Sequence, residues 1–384
     1  MVGLRGSHVT RTALPTALGG YEDWPPYVWS SNGREAVPGE LARVLGVPAV
    51  PAVLDLRVDG ESTTRDVRTT ELSWQLGYGP RTRAYHLRPA GEDGPLPGVL
   101  FMHCHSDNKW LGADRLVDLG YDSRPEAVAL RAAMYDGQAP ANALASRGFA
   151  VLAHDTFGWG TRRFTMDPPA ERSARHLAGQ EALWTSGGIE PTEEMRYNAF
   201  AADHENTVAK AGALIGTTFA GMVAHDDLAA LNVLGALPGV DSSRLGTAGL
   251  SGGGGRAMIL AALSPRIRAH VISCMMTTFA SLLPAYLDLH SWLMHTPGLW
   301  QLADWPEIPF TRAAVNPHSL LVQYALDDQL FPEQGMRDAD ALLTAASGAG
   351  FDYTAAWHAG GHAMTRAMQS EVAAFFTKTL AEVA

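Results

Sequence analysis

Ser251 is the residue best placed to act as a nucleophile. It lies in residues 249–253 (GLSGG), the G-x-S-x-G pattern of a nucleophile elbow. Such an elbow turns sharply from a strand into a helix and holds the serine at an unfavourable φ, so the positions around it favour glycine. Four successive glycines, 252–255, would open this helix although each costs roughly 1 kcal/mol of helix propensity, which indicates a close approach of backbone or ligand. An ordinary flexible loop is the competing interpretation.

An acid for such a nucleophile is available at Asp328. In this kind of site the acid and the base follow the serine along the chain, each just beyond a strand. Residues 318–325 (HSLLVQYA) predict a buried strand, and Asp327 and Asp328 follow it before a proline-bearing turn. We take Asp328 as the acid and Asp327 as the alternative, because two adjacent carboxylates point in different directions. Either residue could instead be a solvated aspartate that caps the helix beginning near Pro332.

A base follows the next predicted strand, over residues 351–357 (FDYTAAW). The loop after it, residues 358–362 (HAGGH), contains glycines that indicate a tight turn presenting His362. This position makes His362 the predicted base, although any one of the fourteen histidines is by default an ordinary surface residue. His358, at the end of the strand, is the weaker candidate.

These residue types together can perform acyl transfer. His362 would take the proton of the Ser251 hydroxyl, and Asp328 would fix the tautomer of the imidazole and stabilise its charged form. Negative charge then develops on the substrate oxygen, and the backbone N–H of Gly252, at the start of a helix, is expected to bind it. A second N–H is expected from residues 103–109 (HCHSDNK), a loop that follows a predicted strand.

From about residue 97 onward the chain resembles the α/β-hydrolase superfamily, and within it the dienelactone hydrolase and acetyl xylan esterase-like branch of bacterial serine esterases. The matching segments are HCHSDNK at 103–109, DTFGWGTR at 155–162, the run 226–268 with the elbow, Asp328 with Leu-Phe-Pro, and the final Gly-Gly-His. The resemblance implies an α/β-hydrolase fold and an esterase activity that depends on Ser251, His362 and Asp328.

The resemblance also suggests the second oxyanion donor. In the family this donor is the amide two residues after the histidine that leads the loop, which corresponds to His105 here. The family usually has glycine in this loop, whereas Cys104 and His105 occupy it in this chain. Dienelactone hydrolases use a cysteine nucleophile, so the serine at position 251 favours an esterase.

The same loop supports a rival from another class of enzyme. His103, His105 and Asp107 have the H-x-H-x-D spacing that begins a metallo-β-lactamase-type zinc site, where the metal would activate water. That motif continues with a histidine, and Asn108 occupies the position here. Further ligands would have to come from distant histidines that form no recognisable second cluster: His154, His176, His204, His225 and His270.

Other classes of function are disfavoured. No Gly-Lys-Ser or Gly-Lys-Thr follows the glycine run, so it is not a P-loop, and nothing indicates a Rossmann dinucleotide site. The formal net charge of −11 and the absence of a basic stripe argue against nucleic-acid binding. The expected partner is a small-molecule ester, and a homo-oligomer is left open.

Composition places the chain among globular proteins. Its 384 residues are 46 % hydrophobic, which is ample for a buried core. Two cysteines, Cys104 and Cys274, provide no disulfide framework, which favours a reducing compartment. No run approaches the roughly 18 apolar residues of a membrane span, and no secretory signal is recognisable. We therefore expect a cytoplasmic location, with neither membrane attachment nor export.

Strand and helix patterns alternate along the chain. This alternation predicts an α/β fold, with a mostly parallel sheet covered by helices on both faces. We expect an N-terminal extension over residues 1–60 that packs on a catalytic domain over 61–384. Predicted strands cover 66–76, 81–88, 97–102, 149–153, 244–250, 269–275, 318–325 and 351–357, and predicted helices cover 141–146, 192–210, 218–237 and 253–263.

Two insertions, at about 158–217 and 276–309, follow strand ends where binding loops usually lie. We expect them to form a lid and the walls of an acyl or alcohol pocket, although their aromatic residues could equally pack the insertions onto the body. The second insertion is rich in aromatic residues and methionine: Phe279, Tyr286, Trp292, Met294, Trp300 and Trp305. The predicted substrate contacts are His103, Cys104, Trp292, Trp300 and Trp305.

The sequence therefore predicts a carboxylic ester hydrolase that acts through an acyl-enzyme on Ser251 and needs no metal or organic cofactor. A small acyl ester such as an acetyl ester is the substrate that the resemblance suggests. Lactone or amide hydrolysis, or acyl transfer to an alcohol, would use the same scaffold.

Overall fold

The architecture is a nine-stranded sheet with helices on both faces. The computed structural model describes residues 40–50, 54–283, 285–311, 316–348 and 350–381, with a few residues between 14 and 28. The strands are β1 (Leu54–Thr64), β2 (Val67–Gln75), β3 (Thr82–Pro89), β4 (Leu96–Met102), β5 (Ala150–His154), β6 (Val240–Leu250), β7 (Ile267–Ser273), β8 (His318–Ala325) and β9 (Phe351–His358).

The strands lie in the order β1-β2-β3-β5-β4-β6-β7-β8-β9. The first three strands pair antiparallel and β3 pairs antiparallel with β5, whereas every pair from β5 through β4 to β9 is parallel. The carboxyl ends of β4, β6, β8 and β9 therefore meet at one edge of the sheet, where open α/β folds bind ligands. The α/β fold class predicted from the sequence is confirmed.

The described helices connect and cover these strands. They are α1 (Leu41–Leu45), α2 (Pro125–Met134), α3 (Pro140–Ala145), α4 (Glu171–Ser186), α5 (Glu193–Ile215), α6 (Phe219–Ala236), α7 (Gly252–Leu263), α8 (Phe279–Leu282), α9 (Leu299–Leu302), α10 (Glu333–Ala346) and α11 (Arg366–Thr379). None of these helices is long and apolar enough to span a membrane alone. Helices α5 and α6 have sufficient length and apolar composition only when they are taken together, and the chain bends by 86° between them.

The core consists of two layers, one on each face of the sheet. Helices α6 and α7 pack with the second insertion on one face, and α2, α3 and α11 cover the other. Central strands are buried on both faces, so they are almost continuously apolar, as in β5 (AVLAH), where every residue is buried. This apolar character is what made the strands recognisable.

Strand β1 is an element that the sequence did not predict, and strand β6 begins well before the predicted residue 244. Strand β1 begins at Leu54 and so crosses the expected boundary of the N-terminal extension at residue 60. Strand β6 begins at Val240, four residues before the apolar run, because its polar first half still pairs with β4. Most of the expected extension lies outside the described residues, including its aromatic residues Tyr21, Trp24, Tyr27 and Trp29.

Candidate active site

Ser251 lies at the turn between β6 and α7. Its φ of 56° and ψ of −126° are outside the regions that residues with a side chain prefer, a strain worth about 1–3 kcal/mol. Two backbone hydrogen bonds hold the turn: Ser251 N–H donates to the carbonyl of Ser273 at 2.8 Å, and Gly255 N–H donates to the carbonyl of Ser251 at 3.0 Å. The serine is therefore held at the carboxyl edge of the sheet.

The glycines beside Ser251 are required by close backbone contacts. A Cβ on Gly249 would lie 2.2 Å from the carbonyl carbon of Gly253, and one on Gly253 would lie 2.1 Å from the carbonyl oxygen of Met102. Real Cβ atoms do not approach other atoms so closely. The helix therefore begins directly against the end of β4, as the glycine run suggested.

His362 and Asp328 are in contact in the loops after β9 and β8. Nδ1 of His362 lies 2.6 Å from Oδ2 of Asp328, and the other carboxylate oxygen accepts the N–H of Leu330 at 2.9 Å. Asp327 has a different position, because its carboxylate accepts the N–H of Gly360 at 2.9 Å and so holds the loop that carries His362. His358 lies 2.9 Å from Glu371 instead.

Ser251 and His362 line the same cavity, which has a volume of about 100 Å³. Gly252 and His105 also line it, so the nucleophile, the base and both expected oxyanion donors meet at one place. A Cβ on Gly252 would lie 3.2 Å from the backbone nitrogen of His105, which shows how close the two amides are. Within the described chain, neither of these two N–H groups donates to another protein group.

Arg115 holds the loop that presents His105. Its guanidinium is completely buried and donates only to atoms of residues 104–112. Nη1 donates to the carbonyls of Cys104 at 2.8 Å and His105 at 3.3 Å, Nη2 to those of Asn108 at 2.6 Å and Leu111, and Nε to that of Gly112 at 3.1 Å. Because this side chain uses all five donors on one loop, it fixes the direction of the loop's amides.

Glu205, on α5 in the first insertion, joins three segments of the site. Its carboxylate accepts hydrogen bonds from His105 Nε2 at 3.3 Å, from the ammonium of Lys109, and from the N–H of Trp292 at 2.6 Å. Burial alone would raise the pKa of Glu205, but the His105 hydrogen bond and the Lys109 charge lower it to about 2. Burial lowers the pKa of Lys109 despite this partner. Glu205 therefore connects the oxyanion loop to both insertions.

A second buried network lies under the nucleophile helix. Arg256, on α7, donates to both carboxylate oxygens of Asp227 at 2.6 and 2.9 Å and to the carbonyl of His103 at 3.4 Å. Nε2 of His154, at the end of β5, lies 3.0 Å from the same Asp227 carboxylate. The network ties the helix after Ser251 to α6, β5 and the end of β4.

The predicted substrate contacts occupy different places. Trp305 lines the cavity of Ser251, and Trp292 lines a neighbouring cavity of about 490 Å³. Trp300 packs against Phe279 at a ring distance of 5.9 Å and is not among the residues lining either cavity. His103 and Cys104 also lie outside both linings and are buried beneath the oxyanion loop.

Two residues of the rival metal motif are in contact, and the third has other neighbours. Nδ1 of His105 lies 3.4 Å from Oδ1 of Asp107, whose side chain is 95 % exposed, and Nε2 of His105 faces Glu205. His103 instead packs against the edge of Trp159, and its Nδ1 lies 3.0 Å from the carbonyl of Cys104. Across the part of the chain that the structure describes, no three side chains of metal-ligating type come together.

Arg115, Glu205, Arg256 and Asp227 are site residues that no sequence motif identified. Lys109, the single lysine of the loop, was the only indication of a carboxylate nearby, because an ammonium that is buried requires a carboxylate partner. Its partner could not be identified because Glu205 lies far along the chain in a polar helix.

Comparisons with known proteins agree with this fold. A family model described as acetyl xylan esterase (AXE1) matches residues 217–280, which include α6, β6, the serine and α7. YtaP of Bacillus subtilis (strain 168), whose name assigns it provisionally to the hydrolases, is 28 % identical over 301 residues, 77 % of this chain and 83 % of that protein.

Solved structures share the architecture at low sequence identity. Acetyl xylan esterase 1 from Thermoanaerobacterium sp. JW/SL YS485 superposes with a TM-score of 0.51 at 16 % identity, covering 91 % of this chain and 96 % of that one. Glucuronoyl esterase from Solibacter usitatus gives 0.57 at 14 % identity, covering 89 % and 92 %. The α/β-hydrolase fold and the resemblance to acetyl xylan esterases are confirmed, and the predicted enzyme class, an ester hydrolase, is that of the matched family and of these structures.

Proposed function

With an acetyl xylan esterase-like α/β-hydrolase as the premise, we propose that the protein is a serine carboxylic ester hydrolase whose triad is Ser251, His362 and Asp328. The 2.6 Å contact between His362 and Asp328, beside the cavity that Ser251 lines, is the observation that carries the proposal. The strained serine backbone and the adjacent amides of Gly252 and His105 support it further.

The reaction proceeds in two steps. The imidazole of His362 takes the hydroxyl proton as the Ser251 oxygen attacks the ester carbonyl, and Asp328 holds the imidazole in the tautomer that can accept it. The amides of Gly252 and His105 bind the negative oxygen. His362 then returns the proton to the leaving alkoxide, which departs as the alcohol and leaves the acyl group on the serine.

Water completes the cycle. His362 removes a proton from a water molecule that attacks the acyl-enzyme, and then protonates the Ser251 oxygen as the acid is released. No metal ion or organic cofactor takes part in either step. Acyl transfer would follow the same path with an alcohol in place of water.

The cavities support a short acyl group. The space beside Ser251, about 100 Å³, suits a small acyl chain, and the more polar neighbouring cavity of about 490 Å³ would receive the alcohol part. Since relatives include acetyl xylan esterases, acetyl esters of hydroxylated alcohols are the first substrates to test.

The test compares Ser251→Ala with Ser146→Ala, an exposed serine far along the chain from the proposed triad. Rates are measured on p-nitrophenyl esters of increasing chain length, and a fluorophosphonate is used to label the nucleophile. We expect Ser251→Ala to lose at least about 10⁴-fold in kcat, Ser146→Ala to keep its activity, and mass spectrometry to find the adduct on Ser251. An active enzyme that carries no adduct on Ser251 would refute the proposal.

A further inference from the structure

One wall of the small cavity is lined by three residues that each have a buried ring nitrogen without a partner in the described part of the chain. The second insertion contributes His290, His295 and Trp305 to the lining of the cavity that holds Ser251. Nε2 of both histidines and Nε1 of the tryptophan are buried, and none has a hydrogen-bond partner among the residues that the structure describes. Ser291 lines the cavity from the same insertion, and the apolar side chains beside these residues include those of Leu293, Met294 and Phe331.

The tautomer of each histidine follows from its other nitrogen. Nδ1 of His290 lies 2.8 Å from the carbonyl of Tyr286, and Nδ1 of His295 lies 2.8 Å from the carbonyl of Ser291. A carbonyl only accepts hydrogen bonds, so each Nδ1 carries the proton and each Nε2 is an acceptor in the neutral ring. Burial lowers the pKa of His290 to about 4 and also lowers that of His295, so both rings are neutral near pH 7.

The three rings form one contiguous group. The ring centroids of His290 and His295 are 5.6 Å apart. The ring of Trp305 lies edge-on to both, at 6.4 Å from His290 and 6.1 Å from His295. His290 also packs on Phe331 at 5.0 Å, and Phe331 packs on His362 at 6.1 Å. The three rings therefore bring one N–H donor and two nitrogen acceptors, all buried and without partners among the described residues, close to the cavity and to the proposed base.

A hydroxyl group is the chemical complement of this wall. It donates one hydrogen bond and accepts others, so it can bond to an imidazole nitrogen and to the indole N–H together. A plain methyl group would leave all of these buried atoms unsatisfied, at a cost of about 1–3 kcal/mol each. A carboxylate would face two acceptor lone pairs and the carboxylate of Asp107, which also lines the cavity.

From this arrangement we propose that the cavity selects short acyl groups that carry a hydroxyl, such as 2-hydroxyacyl groups, with His290, His295 and Trp305 as the residues that determine this specificity. The proposal rests on the proposed function, because it assigns the cavity to the acyl part of an ester. The volume of about 100 Å³ limits the group to a few heavy atoms.

The test uses substrate pairs that differ by one hydroxyl: p-nitrophenyl glycolate against acetate, and lactate against propionate. Each ratio of kcat/KM is divided by the ratio of the uncatalysed hydroxide rates, which removes the difference in chemical reactivity. We expect the corrected ratio to favour the hydroxyacyl ester by about tenfold or more, and His290→Phe, His295→Phe and Trp305→Phe each to lower it by about tenfold. Met294→Leu alters the same wall without changing a polar atom and should leave the ratio unchanged.

A binding measurement separates this proposal from the proposed function. In Ser251→Ala protein labelled with ¹⁵N-histidine, glycolamide should shift the Nε2 resonances of His290 and His295, whereas acetamide should not. A corrected ratio near one would overturn the proposed specificity and leave the esterase mechanism standing. A ratio that stays unchanged in all three ring variants would have the same consequence. Equal shifts with both amides would overturn it too, whereas a protein that binds glycolamide selectively but hydrolyses no ester would refute only the proposed function.

Discussion

Oε2 of Glu205 lies 3.3 Å from Nε2 of His105, although the two residues are one hundred positions apart in the chain. Through this contact a helix of the first insertion holds the loop whose amide faces the serine. The same carboxylate neutralises the buried ammonium of Lys109, so it serves both the position of the loop and the stability of the fold.

These two roles can be separated by substitution. Glu205→Gln should lower kcat about tenfold with little change in KM, because a less well-placed amide weakens the transition state more than the substrate complex. It should also destabilise the protein by about 3–5 kcal/mol, since Lys109 is left buried and unpaired. The double variant Glu205→Gln with Lys109→Met should recover the melting temperature but not kcat. Recovery of both would show that only the ion pair matters.

Asp328 and Asp327 form a natural matched pair. Asp328→Asn should lower kcat by about 10⁴-fold, because an amide beside Nδ1 favours the wrong tautomer of His362. Asp327→Asn removes the charge but keeps an oxygen that can accept the N–H of Gly360, so kcat should fall less than about tenfold. Steady-state kinetics on one ester decides between them, and the reverse order would assign the acid to Asp327.

Arg115→Lys should impair catalysis without preventing folding. An ammonium has three donors where the guanidinium uses five, so some carbonyls of residues 104–112 lose their partner and the His105 amide moves. We expect kcat to fall about 10- to 100-fold, KM to stay within about threefold, and the rate of serine labelling by a fluorophosphonate to fall with kcat. Arg337→Lys is the control, because Arg337 forms an exposed ion pair with Glu333 on the same helix. This substitution should change neither kcat nor the labelling rate. A loss confined to KM would contradict a role in the oxyanion site.

Stability should fall as the solution becomes acidic. Burial lowers the pKa of His86 and His290 to about 4, below the ordinary value of 6.5, so unfolding takes up protons between these values. Each residue therefore contributes stability that is present above pH 6.5 and is lost towards pH 4, with a slope of about 1.4 kcal/mol per pH unit. Glu205 adds a second loss between about pH 4.5 and 2. Urea unfolding measured at pH 7, 5.5 and 4.5 tests this, and His86→Phe should flatten the first part of the curve.

The sequence allowed the parallel half of the sheet to be predicted closely. Residues 318–325 form β8 without a change of boundary, and the helix after the serine begins within one residue of its expected start. These elements are buried on both sides, so their apolar runs leave few alternatives. Strand β1 was not predicted, because an outer antiparallel strand with polar, exposed positions has little apolar signal.

Positions that depend on contacts between distant segments could not be predicted. Nothing local distinguishes Asp328 from Asp327, since only the folded loops bring one carboxylate to His362 and the other to Gly360. Glu205 is a similar case, because it acts on a loop that its own segment does not adjoin in the sequence.

Helix α4 has a single buried residue, Ser173, which bonds to Asp203 of α5 at 3.0 Å. Helix α4 is therefore thinly anchored, whereas α5 beside it is held by its own buried residues, among them Phe200, Asp203 and Glu205. Segments with few buried contacts open at the lowest free energy, so amide hydrogen exchange should be fast over 171–186 while 193–215 stays protected. Glu205 would then keep its hold on the loop even while the neighbouring helix opens.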